Sequence, residues 1–284
     1  MKIFSNWIFI IILYLIFAVS YNQCFKQLTK KMKKDGAMIV LLDGLAGLFC
    51  LILIPLFKLK LPTNIWTYFF LTIACIFYAL NDRLGTTARK GIQASTFSML
   101  KQLSTVFMIF ASFIFFKEKF IITKFIGAIL IVFSNLLVFY DKNFKLDKYT
   151  LYGLLASICT TISLFIDVNY SDEFNLPIYV AITLLVPALL IFIFERIKIK
   201  DMITEFKTSD KSIFASTIIS SALMLTLKLY AYDLGEVMIV APLCSLTIIL
   251  NVFAGIIFFE EKTKIPQKII SALLIIFALI LIKL

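Results

Sequence analysis

From Trp7 to Val19 the chain reads WIFIIILYLIFAV, and nothing in that run is more polar than the tips of Trp7 and Tyr14. Runs of this kind recur as far as the C-terminus, separated by short polar breaks. A water-soluble fold has no place for them. With 61% of its 284 residues hydrophobic, the chain carries more apolar side chain than a soluble core of its size could bury. In a bilayer the hydrocarbon is itself the solvent, and about 20 apolar residues in a helix cross it. No water is available there to the backbone, so a spanning segment is either a helix or a strand of a closed barrel. These runs are continuous rather than alternating, which predicts helices.

Ten spans follow, at about 6–25, 37–57, 63–88, 92–116, 120–140, 150–169, 176–195, 212–232, 237–259 and 268–283. Their connections are short, so neighbours are expected to pack as antiparallel hairpins, with no room for a separate soluble domain. The first run resembles a signal peptide, but aromatic and polar residues follow it. It is expected to remain as the first helix. The net charge of +11 is expected to sit in loops and set orientation, not to bind nucleic acid. The absence of histidine excludes imidazole as base, proton shuttle or metal ligand. Cys24, Cys50, Cys75, Cys159 and Cys244 lie in apolar segments without C-x-x-C spacing. They are expected to be free thiols acting as small apolar side chains.

The chain also repeats itself. FASFIFFKEK from Phe110 matches FAGIIFFEEK from Phe253, an offset of 143 residues. At the same offset Leu103, Ser104 and Ala111 fall on Leu246, Thr247 and Ala254, and Gly91 falls on Gly235 if one residue is skipped. Five spans precede the boundary near 141–149 and five follow it, giving repeats over 1–142 and 147–284. Five is odd, so the second copy enters the membrane from the opposite side. The expected fold is all-α and polytopic: ten transmembrane helices in two inverted five-helix repeats.

Polar residues inside these spans are costly, and so informative. Lys101 lies within the apolar run 96–116, where a lysine facing lipid near the helix centre costs roughly 2.5 kcal/mol or more. Helical spacing gives it company: Ser98, Lys101, Gln102, Thr105 and Ser112 fall on one face. Thr217, Ser221 and Lys228 share a face of the eighth span, Tyr78 and Asp82 one of the third, and Cys244, Thr247 and Asn251 one of the ninth. Asp43 in the second span and Arg83 beside Asp82 complete the candidate substrate-binding set. Asp167, near the end of the sixth span, is expected to be interfacial. The plainer reading is that these groups pair as glue between helices, Asp43 or Asp82 neutralising Lys101. Lys124, and Arg83 or Lys228, could instead snorkel to the headgroups. GLAGLFC in the second span allows close helix packing. Pro242 either kinks the ninth span or breaks it and frees carbonyls for a ligand.

Two stretches resemble a known family. ARKGIQASTFSMLKQLSTVFMIFASFIFFKEK and YDLGEVMIVAPLCSLTIILNVFAGIIFFEEK, each ending in an acidic-basic turn, resemble the third-to-fourth and eighth-to-ninth helices of the drug/metabolite transporter superfamily with two EamA-type domains. The resemblance covers essentially the whole chain. It implies a central cavity lined by helices three, four, eight and nine, with the first and sixth contributing. LKQLS is similar to the QLK element of nucleotide-sugar transporters, but Ser104 stands where that family has its lysine, and that specificity is not carried over.

The resemblance, with the inverted repeat, implies a secondary transporter in the cell membrane, moving a small polar or amphiphilic metabolite by alternating access. The basic groups favour an anionic one, and Asp43 and Asp82 would balance charge or carry a coupling proton or ion. No cofactor is expected, and either a monomer or a homodimer fits. No phosphate-binding G-x-x-x-x-G-K-[ST] loop occurs, and no D-x-x-D pair for a membrane enzyme. The rival readings are a lipid-carrier flippase and a non-transporting scaffold.

Of the 28 Lys and Arg residues, 18 lie in odd-numbered loops and 7 in even loops and termini. By charge the odd loops, 26–36 among them, face the cytoplasm, whereas members of the resembled superfamily usually keep both termini there. In a cysteine-free background, Lys31→Cys is expected to escape an impermeant maleimide in intact cells and to react after permeabilisation. Labelling of intact cells would put loop 26–36 outside.

Overall fold

The computed structural model describes residues 6–29, 32–91, 94–115, 120–139, 147–247, 249–251, 253–254 and 265–283. Among these, all regular structure is helical: α1 Trp7–Thr29, α2 Asp35–Ile52, α3 Ile65–Gly91, α4 Ala94–Ile114, α5 Ile122–Phe139, α6 Lys148–Tyr170, α7 Leu176–Phe194, α8 Ile199–Thr208, α9 Lys211–Leu234, α10 Val237–Ser245 and α11 Ile265–Lys283. Six of them, α1, α2, α3, α6, α7 and α9, are long and apolar enough to cross a membrane. The four other expected spans overlap α4, α5, α10 and α11. The turns 117–119 and 260–262 that end the repeated motif lie outside the described residues.

The helices divide into two compact units, Met1–Arg83 with Ile162–Asp233, and Leu84–Thr161 with Leu234–Leu284. Each unit thus draws on both halves of the chain.

In the first unit α2 packs along α7. Gly36 at the start of α2 lies against Glu195 at the end of α7, and Gly47 lies against Leu185 and Ala181. Past the end of α2, the Asn175 side chain donates to the carbonyls of Ile54, Phe57 and Lys58 at 3.1–3.3 Å. The two helices therefore run antiparallel. Asn175 also caps α7, accepting from the Ile178 N–H at 3.3 Å. Expected to reach residue 57, α2 stops at Ile52 and gives way to a 3-10 turn, Ile54–Leu56, since Pro55 has no N–H to continue the helix.

The loop expected between spans seven and eight contains a helix of its own, α8. It docks on the N-terminal end of α2, where the buried Glu205 carboxylate accepts the Lys33 and Lys34 N–H groups, the latter at 2.8 Å. These are donors the helix cannot satisfy itself, and an anion there also meets the positive end of the helix dipole. Lys34 adds an ion pair to Asp201 at 2.8 Å. Arg196, at φ 50°, turns the chain from α7 towards α8, and the Ile197 N–H returns to the Phe192 carbonyl.

In the second unit α5 packs along α11, and α10 against α4 and α5. Ile109, Ala128, Val132 and Met238 form a buried cluster. Ser134 and Ser271, both buried, donate reciprocally to each other's carbonyl at 2.7 Å. Asp147 opens α6 by accepting the Thr150 N–H at 2.8 Å, and that N–H is the first cause holding its carboxyl below the usual range.

Outward faces are apolar, as a lipid solvent requires. Ile8, Ile12 and Ile16 make an exposed stripe on α1, and Phe107, Phe110 and Ile114 one on α4. Cys50, Cys75, Cys159 and Cys244 are buried, Cys24 is half-buried, and all five are free thiols.

Of the two glycines in GLAGLFC, only Gly47 lies at a close contact. A Cβ on Gly44 would meet nothing within 4 Å, while one on Gly47 would fall 2.7 Å from Leu185 Cγ and 3.2 Å from the Ala181 carbonyl. Gly44→Ala is expected to hold or raise the unfolding midpoint, by up to about 1 kcal/mol. Gly47→Ala is expected to cost about 1–3 kcal/mol. Equal effects in an SDS-unfolding titration would contradict this packing.

Candidate functional site

The polar residues of the spans are brought together unit by unit. In the first unit the centre is Asp167 on α6, only 1% exposed. Tyr78 of α3 donates its hydroxyl to one carboxylate oxygen, and Tyr179 of α7 donates to the other at 2.8 Å. Lys228 of α9 adds electrostatic attraction. One helical turn before Asp167, Ser163 donates to the Ala74 carbonyl of α3, so the same face of α6 is held against α3 at two levels. Two hydroxyl donors and a nearby ammonium are what a carboxylate needs to remain in a dry interior. Asp167 is therefore a buried junction of three helices, α3, α6 and α7.

Two further carboxylates lie nearby. Asp43 of α2 and Asp82 of α3 interact electrostatically with each other; Asp82 also acts on Tyr78 and accepts from Asn81 at 3.0 Å. Arg83, next in sequence, turns away to an ion pair with Glu195 at the end of α7, both side chains about one-third exposed.

In the second unit Lys101 and Thr105 of α4 are half-buried. Ser104, between them, is buried and donates to the Ser157 carbonyl of α6, while Ser157 donates to the Leu100 carbonyl at 2.8 Å. The place of a lysine in the nucleotide-sugar element is thus taken by a packing contact. Ser112 is buried with its hydroxyl on the Ile109 carbonyl at 2.7 Å, so the stripe expected on α4 does not continue as one open face to that depth. The side chains of Ser98 and Gln102 lie outside the described residues. Lys124 pairs with Glu236 at 2.8 Å. Asn251 is half-buried beyond α10.

Pro242 sits within α10, which ends at Ser245. The carbonyls of Pro242 and Cys244 near this end are taken by the hydroxyls of Ser245, at 2.6 Å, and Thr247, at 2.7 Å. Among the described residues no three His, Cys, Asp or Glu side chains converge to hold a metal ion.

Residues 5–140 match the model of the EamA-like transporter family. These residues, just under half of the chain, are similar to that family. One solved structure, described only as "Crystal structure of protein", matches with a TM-score of 0.73 at 12% identity, over 96% of this chain and 94% of its own. It is similar in fold, and 28 chains of solved structures match in all. No curated protein matches the sequence. The matched residues contain α1 to α5, and the match with the apolar helices supports an integral membrane protein.

Sequence spacing picks out Tyr78, Asp82, Lys228 and Asp43 but leaves Tyr179 aside and gives Asp167 little weight. Its one local signal is the apolar neighbourhood, Phe165, Ile166 and Val168. Tyr179→Phe, which removes one donor, is expected to cost about 1 kcal/mol. Asp167→Ala strands two hydroxyls and is expected to cost about 2–3 kcal/mol. Unfolding midpoints in SDS check both, and an Asp167→Ala midpoint equal to wild type would remove the carboxylate from the packing.

Proposed function

We propose that the chain is a secondary transporter of ten helices in two inverted five-helix repeats, 1–142 and 147–284, carrying a small polar or amphiphilic metabolite, anionic in character, by alternating access. The family of residues 5–140 supports transport. The antiparallel run of α2 against α7 is in keeping with an inverted repeat, in which the second helix of each copy crosses in the opposite sense. The pairing of α5 with α11, the fifth of each, through reciprocal serines supports it too.

Lys101 is the substrate group. Its ammonium would sit in water within the transport path, which removes most of the insertion cost, and substrate would replace that water. Thr105, with Ser98, Gln102 and Asn251, would supply neutral hydrogen bonds. Asp43 and Asp82 would carry the coupling proton or ion. Lys228 and Arg83 would contribute positive potential already tempered by Asp167 and Glu195.

The test is uptake of radiolabelled metabolite pools into proteoliposomes. Lys101→Gln is expected to keep the wild-type size-exclusion profile and to lose anionic uptake by about tenfold or more, as removal of one charge-assisted contact does. A folded variant with unchanged kinetics would exclude Lys101 from the site. No accumulation by the wild type of any solute would favour a scaffold.

A further inference from the structure

Helix α8 exposes an apolar stripe that the first unit covers only in part, at Phe206, whose ring meets the Phe214 ring at 5.3 Å and the Lys211 ammonium at 3.9 Å. Ile199, Ile203 and Phe206, 65%, 49% and 40% exposed, follow i, i+4 and i+7 and so share one face. Met202 and the buried Glu205 face the body of the unit instead, Met202 against Ile39, Val40, Ala188 and Ile191. At 3.6 residues per turn, Lys200 and Lys207 fall on the flank between the stripe and a third face formed by Thr204 and Thr208.

The local charge is positive once its pairs are counted. Glu195 is held by Arg83 and Asp201 by Lys34, Glu205 accepts the N–H groups of Lys33 and Lys34, and Asp210 caps α9 through the Ser212 and Ile213 N–H groups. Arg196, Lys198, Lys200 and Lys207 are exposed. The chain itself says what covers the stripe. Phe194, the last residue of the spanning α7, lies five positions before Ile199, and the spanning α9 begins at Lys211. Both ends of α8 are thus tied to the level where the chain leaves the hydrocarbon.

We propose that α8 lies along the lipid headgroup layer, its Ile199–Ile203–Phe206 stripe in the acyl boundary, with Arg196, Lys198, Lys200 and Lys207 holding anionic phospholipid headgroups. Apolar insertion and basic attraction to anionic lipid are the two terms that bind such a helix to one leaflet. The leaflet is the one on the side of loop 26–36, through the Glu205 and Lys34 contacts. By capping α2, Glu205 passes the stabilisation of α8 to the helix that packs along α7.

The test uses the full chain in nanodiscs. In a Trp7→Phe, Trp66→Phe background, Ile203→Trp is expected to be quenched by phosphatidylcholine brominated on its acyl chains at least about twice as strongly as Thr208→Trp, since one position faces the acyl boundary and the other the aqueous side. Replacing part of the phosphatidylcholine by phosphatidylglycerol is expected to raise the wild-type thermal midpoint by about 3 °C or more. The rise should shrink at high salt and disappear in a Lys198→Gln, Lys200→Gln, Lys207→Gln variant. Equal quenching at the two positions would overturn the insertion of the stripe and leave a protein partner as its cover. A midpoint rise that is absent in the wild type, or undiminished in the triple variant, would overturn the headgroup contact.

Discussion

A backbone that crosses hydrocarbon has no water to turn to, and the rest of this molecule follows from that. Each segment closes its own hydrogen bonds as a helix, and the few groups that a helix leaves open are met by side chains. Glu205 meets the start of α2, Asn175 the start of α7 and the chain after α2, and Asp147 the start of α6. Hydroxyls inside the spans are mostly spent on their own helix: Thr160, Thr217 and Thr226 each donate to the carbonyl four residues back. Against that background the ionisable residues stand out. Asp167 is matched by two tyrosines and a lysine, whereas Asp43 and Asp82 are set against each other.

Helix association in lipid gains little from the hydrophobic effect, so it rests on close contact and on polar links between helices. Both are present where α2 meets α7 and where α5 meets α11. Gly47 lets α2 approach Leu185 and Ala181, and Ser134 and Ser271 trade hydrogen bonds. Each pairing joins the first half of the chain to the second. Neither half completes its packing alone: an isolated EamA-like half would leave the α2 face at Gly47 and the hydroxyl of Ser134 without partners.

The fold therefore separates two kinds of polar residue. Asp167, Ser104, Ser112 and Ser157 are buried and bonded within their own unit. Lys101 and Thr105 are half-buried on a helix whose next serine is a packing contact. Ser104 is thus part of the packing, and the half-burial of Lys101 is what supports the proposal that it meets substrate.

The amino-acid sequence alone determined that the chain is helical and embedded in a membrane, because run length and the absence of water leave no other solution for α1, α2, α3, α6, α7 and α9. It also marked Asp43, Tyr78, Asp82, Lys101 and Lys228, since an ionisable or hydrogen-bonding group in an apolar run is visible without coordinates. Tertiary structure decided what those groups meet. Asp167 reads only as a residue near a helix end; that Tyr78, far off in sequence, and Tyr179, on the next helix, close over it was decided by packing. Arg83 reads as a neighbour of Asp82 and binds Glu195 instead. Gly44 and Gly47 read alike, and only one faces a neighbour. Helix α8 reads as a loop because its periodicity is short and its charges many, and it forms because Glu205 finds the open end of α2. Periodicity reports which face of a helix is polar; only packing reports what that face touches.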